Sequence, residues 1–170
     1  DASGTNKFLT DSTLVKEDAI GLYTYQVDSE FLNIFDFTLK YGQYPDFDND
    51  FQSIVITESK AEALFQSAQM AIGRSVFNIF NKEYIVKGVI EDLPENSSLR
   101  FDCLSSLRGF YPWVEGKPNF IQMWGNNIIY NAVLFKEGTT DEQKALIGEE
   151  ITKVYNEQVT YEHLPTSFDF

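Results

Sequence analysis

The stretch Tyr84–Ser106, YIVKGVIEDLPENSSLRFDCLSS, reads as a strand, a turn and a second extended element. Tyr84, Val86 and Ile90 alternate onto one face while Ile85 and Val89 carry apolar bulk on the other. The strand is therefore expected to be covered on both sides and central in its sheet. Pro94 has no N–H to give to a ladder, and Glu95-Asn96-Ser97-Ser98 supplies turn chemistry. Leu99, Phe101 and Cys103 then resume the alternation. Nothing in the stretch is suited to catalysis.

Upstream, Asp1–Thr13 is polar, with Phe8 and Leu9 as its large apolar anchors, and its first residues are expected to fray. Ile20–Val27 is a strong strand, with Tyr23, Tyr25 and Val27 alternating against Leu22, Thr24 and Gln26. Asp28 or Ser29 then offers an N-cap to a short helix bearing Phe31, Leu32, Ile34 and Phe35. Phe37–Tyr41 reads as a strand that Gly42 breaks, and YPDFDND (Tyr44–Asp50) as an acidic turn. Ser53–Thr57 is a strand. The helix after it shows a capping box, Ser59 with Glu62, and sets Ala61, Leu64, Phe65 and Ala68 on one side. Gly73 suits a left-handed turn, and Val76–Phe80 with Glu83–Ile90 form a hairpin around Asn81-Lys82. Phe110–Trp124, rich in aromatic residues, loses its period and reads as a structured loop. Strand character returns over Ile128–Phe135. Thr140 and Gln143 form a capping box for the longest helix, which runs to about Gln158 with Ile147, Ile151, Val154 and Tyr155 on its apolar side. A final strand is placed near Ser167. The pattern predicts an α/β (α+β) mixed-sheet domain, with two lobes sharing a sheet.

Hydrophobic residues make up 43% and charged residues 23% of the 170, an ordinary globular composition. The net charge of −13 leaves no basic stripe for a phosphate backbone, which argues against nucleic acid, and anionic membrane surfaces would repel the chain. A single cysteine, Cys103, excludes an internal disulfide; its place in the apolar alternation makes it a buried, inert thiol. No apolar run approaches the ~18 residues of a membrane-spanning helix. Opening on DASGTNKF, without initiator Met or leader, the sequence reads as an excised piece of a longer protein.

Hydrolysis by a nucleophile needs a base within reach, and the single imidazole, His163, sits in a polar segment near the chain end with no GxSxG elbow anywhere. Without GxGxxG or GxxxxGK[ST] there is no P-loop, so direct ATP binding is not expected. Asp46, Asp48 and Asp50 have the spacing of the first calcium-loop ligands. Phe51 stands where the sharp turn needs Gly, however, and Thr57 where a bidentate Glu belongs, which favours a solvated acidic turn. Glu91-Asp92 point in opposite directions as neighbours on a strand end, and Asn96-Ser97-Ser98 fits the glycosylation sequon but reads as turn chemistry. No catalytic, cofactor or metal residue is assigned. Tyr111, Trp113, Phe120 and Trp124 are the candidate interaction surface, since rings of this kind anchor protein interfaces; the competing reading is that they cap a sheet edge.

Four blocks in order, VDSEFLNIFDF (Val27–Phe37), SIVITESKAEALF (Ser53–Phe65), AIGRS (Ala71–Ser75) and the opening stretch, make the chain resemble the extracytoplasmic domain of FtsX/MacB-type ABC transporter permeases, closest to those of Bacteroidetes-like bacteria. The resemblance is strong over Val27–Ser106 and looser over Ile128–Gln158. It implies a MacB-like periplasmic core domain, with an outer porter-like lobe (about 1–40 and 125–170) and an inserted smaller α/β lobe (about 41–124). It also implies a non-enzymatic domain without cofactors, on the periplasmic face of the bacterial inner membrane, with its membrane helices lying outside this sequence. The implied partners are a cytoplasmic ABC ATPase subunit, reached through those helices, and a periplasmic protein or a second permease copy. The implied function is to relay ATP-driven conformational change for export or efflux. A secreted or periplasmic module that binds a ligand or protein is the competing class.

Overall fold

The computed structural model of the chain describes residues 5–10, 19–78, 80–109 and 132–158. The chain divides into two compact units, Asp1–Trp113 and Val114–Phe170. In chain order the first holds β1 (Thr5–Leu9), β2 (Ile20–Val27), α1 (Phe31–Ile34), β3 (Leu39–Gly42), β4 (Ser53–Thr57), α2 (Glu58–Phe65), β5 (Ser75–Asn78), β6 (Glu83–Ile90) and β7 (Cys103–Ser106). The second holds α3 (Asp141–Gln158).

The seven strands form one mixed sheet in the order β3-β6-β4-β7-β2-β1-β5, and β5 pairs a second time, with β6. Six strands therefore close into a ring, β6-β4-β7-β2-β1-β5, with β3 attached to β6 beside β5. The pairs β2/β7 and β4/β6 are parallel and the rest antiparallel. Length lets β6 serve three partners. Glu83–Ile85 meet β5 and Gly88–Ile90 meet β3 along one edge, while Ile85–Ile90 meet β4 along the other. This strand is central, as its apolar bulk on both faces requires. Residues of both expected lobes, 1–40 and 41–124, contribute strands to this one sheet.

Each face of the sheet is covered. The inner cluster takes one buried side chain or more from every ring strand: Phe8, Leu22, Ile54, Ile56, Val76, Val86, Val89 and Cys103. Ala61, Leu64, Phe65 and Ala68 join it from α2 and the turn after it, on the side their spacing predicts. The outer cluster holds Val27, Phe47, Val55, Ile90, Phe101 and Leu104, packed with rings and side chains from α1 and the following loop. Alternation along β2 divides as expected, with Leu22 inward and Tyr23, Tyr25 and Val27 outward.

Two alternation readings are corrected. Ile54 pairs with Val86 but Val55 with Gly88, so Lys87 is an extra residue in β6. This bulge reverses the faces beyond it: Val89 joins Val86 in the inner cluster, and Ile90 moves to the outer one. Leu99 and Phe101 likewise lie in the outer cluster while Cys103 lies in the inner, because a bend at Asp102 interrupts the extended chain. In the N-terminal segment, whose first residues, expected to fray, lie outside the described residues, Thr5–Leu9 is a strand that the sequence did not announce. Its polar sequence is held by ladders to β2 and β5 on its two edges, with Phe8 buried edge-on against Tyr84 at 5.7 Å.

Local signals fare well where their partners are local. Phe31 donates its N–H to Asp28 Oδ1 at 3.0 Å, and Gly42 and Gly73 hold φ of +78° and +76°. Asn81 takes the left-handed conformation in the β5–β6 turn. At α3 the capping box forms reciprocally: Thr140 N–H donates to Gln143 Oε1 at 3.0 Å and Gln143 N–H to Thr140 Oγ1 at 3.3 Å. The more covered side of α3 runs through Gly148, Ile151, Thr152 and Tyr155, leaving Ile147 and Val154 exposed. Residues 132–135, the described part of the strand expected over Ile128–Phe135, are not in a strand. The strand expected near Ser167 and the whole aromatic loop lie outside the described residues.

Candidate functional site

The parallel strands β4 and β6 end side by side. From β4 the chain turns straight into α2; from β6 it enters the segment 91–102 that leads to β7. Between them lies a cleft of about 470 Å³, walled by Tyr23, Leu93 and Phe101 and by the polar residues Thr57, Ser59, Asp92, Arg100 and Asp102. In open α/β sheets ligand sites lie in crevices at the carboxyl ends of parallel strands, and this cleft occupies the corresponding place at the β4/β6 pair of a closed, mixed sheet.

The polar groups of the cleft are largely engaged with each other. Asp92 Oδ1 accepts from the Ser59 N–H at 3.1 Å and from the Ser59 hydroxyl at 2.9 Å, placing a carboxylate on the first turn of α2, where the helix dipole favours it. The predicted Ser59–Glu62 box is thus replaced by a cap from 33 residues away. Asp102 Oδ2 accepts from the Tyr23 N–H at 2.9 Å and lies 3.5 Å from Lys60 Nζ, while its backbone N–H donates to Tyr23 O and its carbonyl accepts from Thr57 N–H. The Arg100 guanidinium donates to the Glu95 carbonyl. Ser59 thus spends its hydroxyl on a carboxylate rather than on an imidazole. The chain's single histidine, His163, lies outside the described residues. Thr57 stands apart, with a buried hydroxyl that has no hydrogen-bond partner among the described residues.

The acidic turn is organised around Asp46, whose carboxylate accepts from Asn49 Nδ2 (2.7 Å), Asp48 N–H (3.1 Å) and Ser29 Oγ (3.1 Å). These bonds, Asn49's first, hold its pKa below the ordinary carboxylate value. Asp48 lies 3.5 Å from Arg108 Nε, and Asp50 accepts from Ser53 Oγ at 2.5 Å. The three carboxylates thus bond to separate protein groups, and no group of three His, Cys, Asp or Glu among the described residues is placed to hold a metal ion.

Tyr111, Trp113, Phe120 and Trp124, the predicted interaction surface, lie outside the described residues. Asp92, Asp102 and Thr57 were not singled out as joint participants. Asp102 left a faint signal, a charged residue between two apolar positions of an expected strand. Asp92 left none beyond strand-exit polarity.

Residues 3–151 match the model of the MacB-like periplasmic core domain. No curated protein matches the chain. Among solved structures, a domain of a protein described as a permease from Porphyromonas gingivalis superposes with a TM-score of 0.62 at 23% identity, over 90% of this chain and 66% of that one. The periplasmic region of MacB from Actinobacillus actinomycetemcomitans gives 0.60 at 13% identity, covering 90% and 64%. The extracellular domain of the noncanonic ABC-type transporter YknZ from Gram-positive bacteria gives 0.61 at 15%, covering 90% and 70%. These likenesses show a shared fold, and the chain spans about two thirds of the length of each solved domain.

Proposed function

The chain belongs to the family of MacB-like periplasmic core domains, and from that membership we propose that it is a non-catalytic lever of an ABC transporter permease, passing ATP-driven movement to the far side of the membrane for export or efflux. Domains of this family belong to permeases that work with ATPase subunits, and they lie outside the cytoplasm. No helix among the described residues is long and apolar enough to cross a membrane.

One observation carries the mechanical reading. The six-stranded ring is closed on itself, packed on both faces, and bonded at its β4/β6 end by side chains that spend their polarity on one another. Such a body transmits displacement as a unit rather than dissipating it in local deformation, because packed interiors are stiff. A catalytic site would instead hold groups with capacity left for a substrate.

In the full permease with its ATPase, hydrogen exchange across this domain is expected to differ between the nucleotide-free and the ATP/vanadate-trapped states, with the change lying outside the ring strands and not inside the ring. Identical exchange in the two states would reject the relay and favour a binding module.

A further inference from the structure

The segment FLNIFDF at 31–37, which forms α1 and the chain after it, is rich in apolar residues yet buries none of them. Phe31, Leu32, Ile34, Phe35 and Phe37 all stay half-buried over the outer cluster. Their rings do not stand singly. Phe31 lies 4.7 Å from Phe35 and 5.8 Å from Phe37, centre to centre. Phe101 links Phe31 and Phe37 to Tyr25, which meets Tyr23 at 5.6 Å. A continuous aromatic band thus crosses the outer face, and Tyr23 and Phe101 carry it to the wall of the cleft. Single exposed rings need no explanation, whereas a contiguous apolar band left in partial contact with water marks a contact surface.

Charge says what covers it. Asp28, Glu30 and Asp36 interleave with these rings, all three exposed, and none of the ion pairs among the described residues includes them. Asp46 adds a further exposed carboxylate, joined to Ser29 just before α1 at 3.1 Å. A second copy seated on this patch would set the same carboxylates against themselves, and an anionic lipid surface would be repelled. We propose that the band is a docking surface for a basic amphipathic helix of another protein. Such a helix carries an apolar stripe flanked by charges, the counterpart of an apolar band flanked by carboxylates. Its apolar side chains lie on the rings and supply the affinity; its Lys or Arg side chains meet Asp28, Glu30 and Asp36 and select the partner. Because the band sits on the stiff ring, docking needs no rearrangement of this chain. The surface rests on burial and charge and does not depend on the transport reading.

The probe is a synthetic helical peptide of about 18 residues, Leu on one face and Lys on the other, beside a twin with Glu for every Lys. By titration calorimetry at low salt the basic peptide is expected to bind and the acidic twin not to. Phe35→Ala should weaken binding about tenfold. Glu30→Gln with Asp36→Asn should weaken it about threefold, an effect that high salt removes. Glu149→Gln with Glu150→Gln takes the same charge from exposed positions on α3 and should leave the affinity unchanged. Absence of binding, equal binding of the two peptides, an unchanged affinity in Phe35→Ala or equal losses from the two charge-removing pairs overturns the proposal. So does a dimer in sedimentation equilibrium that Phe35→Ala dissolves, which makes a second copy the occupant. Sedimentation with phosphatidylglycerol vesicles that Phe35→Ala abolishes overturns it in favour of a lipid surface. If Phe35→Ala fails to fold, the charge-removing pairs, which alter only exposed side chains, decide alone.

Discussion

The Cys103 thiol is wholly enclosed in the inner cluster. Its pKa is pushed up from 9.0 to about 12, first by loss of hydration, with a hydrogen bond to Thr24 opposing and the Asp102 charge adding. The sequence foretold the burial and hence the inertness. Iodoacetamide at pH 8 should therefore label the folded protein at least ~100-fold more slowly than the urea-unfolded chain, since attack awaits opening. The linkage has a definite sign. A thiol whose folded value exceeds its unfolded one stabilises fully below pH 9.0, and that stability declines as pH rises toward 12. Urea midpoints of the native chain should fall more steeply between pH 8 and pH 10.5 than those of Cys103→Ala; parallel curves would show that the burial does not shift the thiol. Asp46 is the contrasting case. It is an exposed carboxylate whose lowered pKa comes from bonds within its own turn, so the acidic spacing was legible while the donors that organise it were not.

The two glycines with positive φ beside β6 differ in a way that periodicity cannot reveal. Gly42 ends β3 with φ +78°, and a Cβ there would fall onto the carbonyl oxygen of Lys87, the bulged residue of β6. Gly73 has φ +76° with open space around it. Gly73→Ala is thus expected to cost about 1 kcal/mol of backbone strain, and Gly42→Ala more than ~2 kcal/mol, because strain and collision combine. Denaturant unfolding of the two variants checks the order; equal losses would mean that β3 shifts away freely. The same contrast between local and distant partners separates the helices. The cap of α3 lies three residues from its partner and was readable as Thr140–Gln143. That of α2 arrives from Asp92, which no reading of Ser59–Glu62 could foresee.

Ring closure gives the first unit two cores back to back. Leu22 lies in the inner cluster and Ile90 in the outer, with the sheet between. Leu22→Ala should cost about 2–5 kcal/mol and Ile90→Val about 0.5–1.5 kcal/mol. Because the two cavities share no wall, the double variant should lose the sum within about 0.5 kcal/mol by urea unfolding. A larger deviation would mean the sheet deforms as one body under either loss. Most of this architecture was written in neighbouring residues. Ile20–Val27 and Ser53–Thr57 emerged as the strands β2 and β4, and Thr140 to Gln158 as a capped helix. The four blocks that carry the family likeness were equally plain, since alternation, capping and turn chemistry all act within a few residues. Folding in three dimensions settled the rest: that β1 meets β5 and closes the ring, that Lys87 reverses the faces of β6, and that Asp92 reaches across to cap α2. Strand register and polar partnership join residues tens of positions apart, and a pattern with a period of two reads the same whether or not a distant strand accepts it.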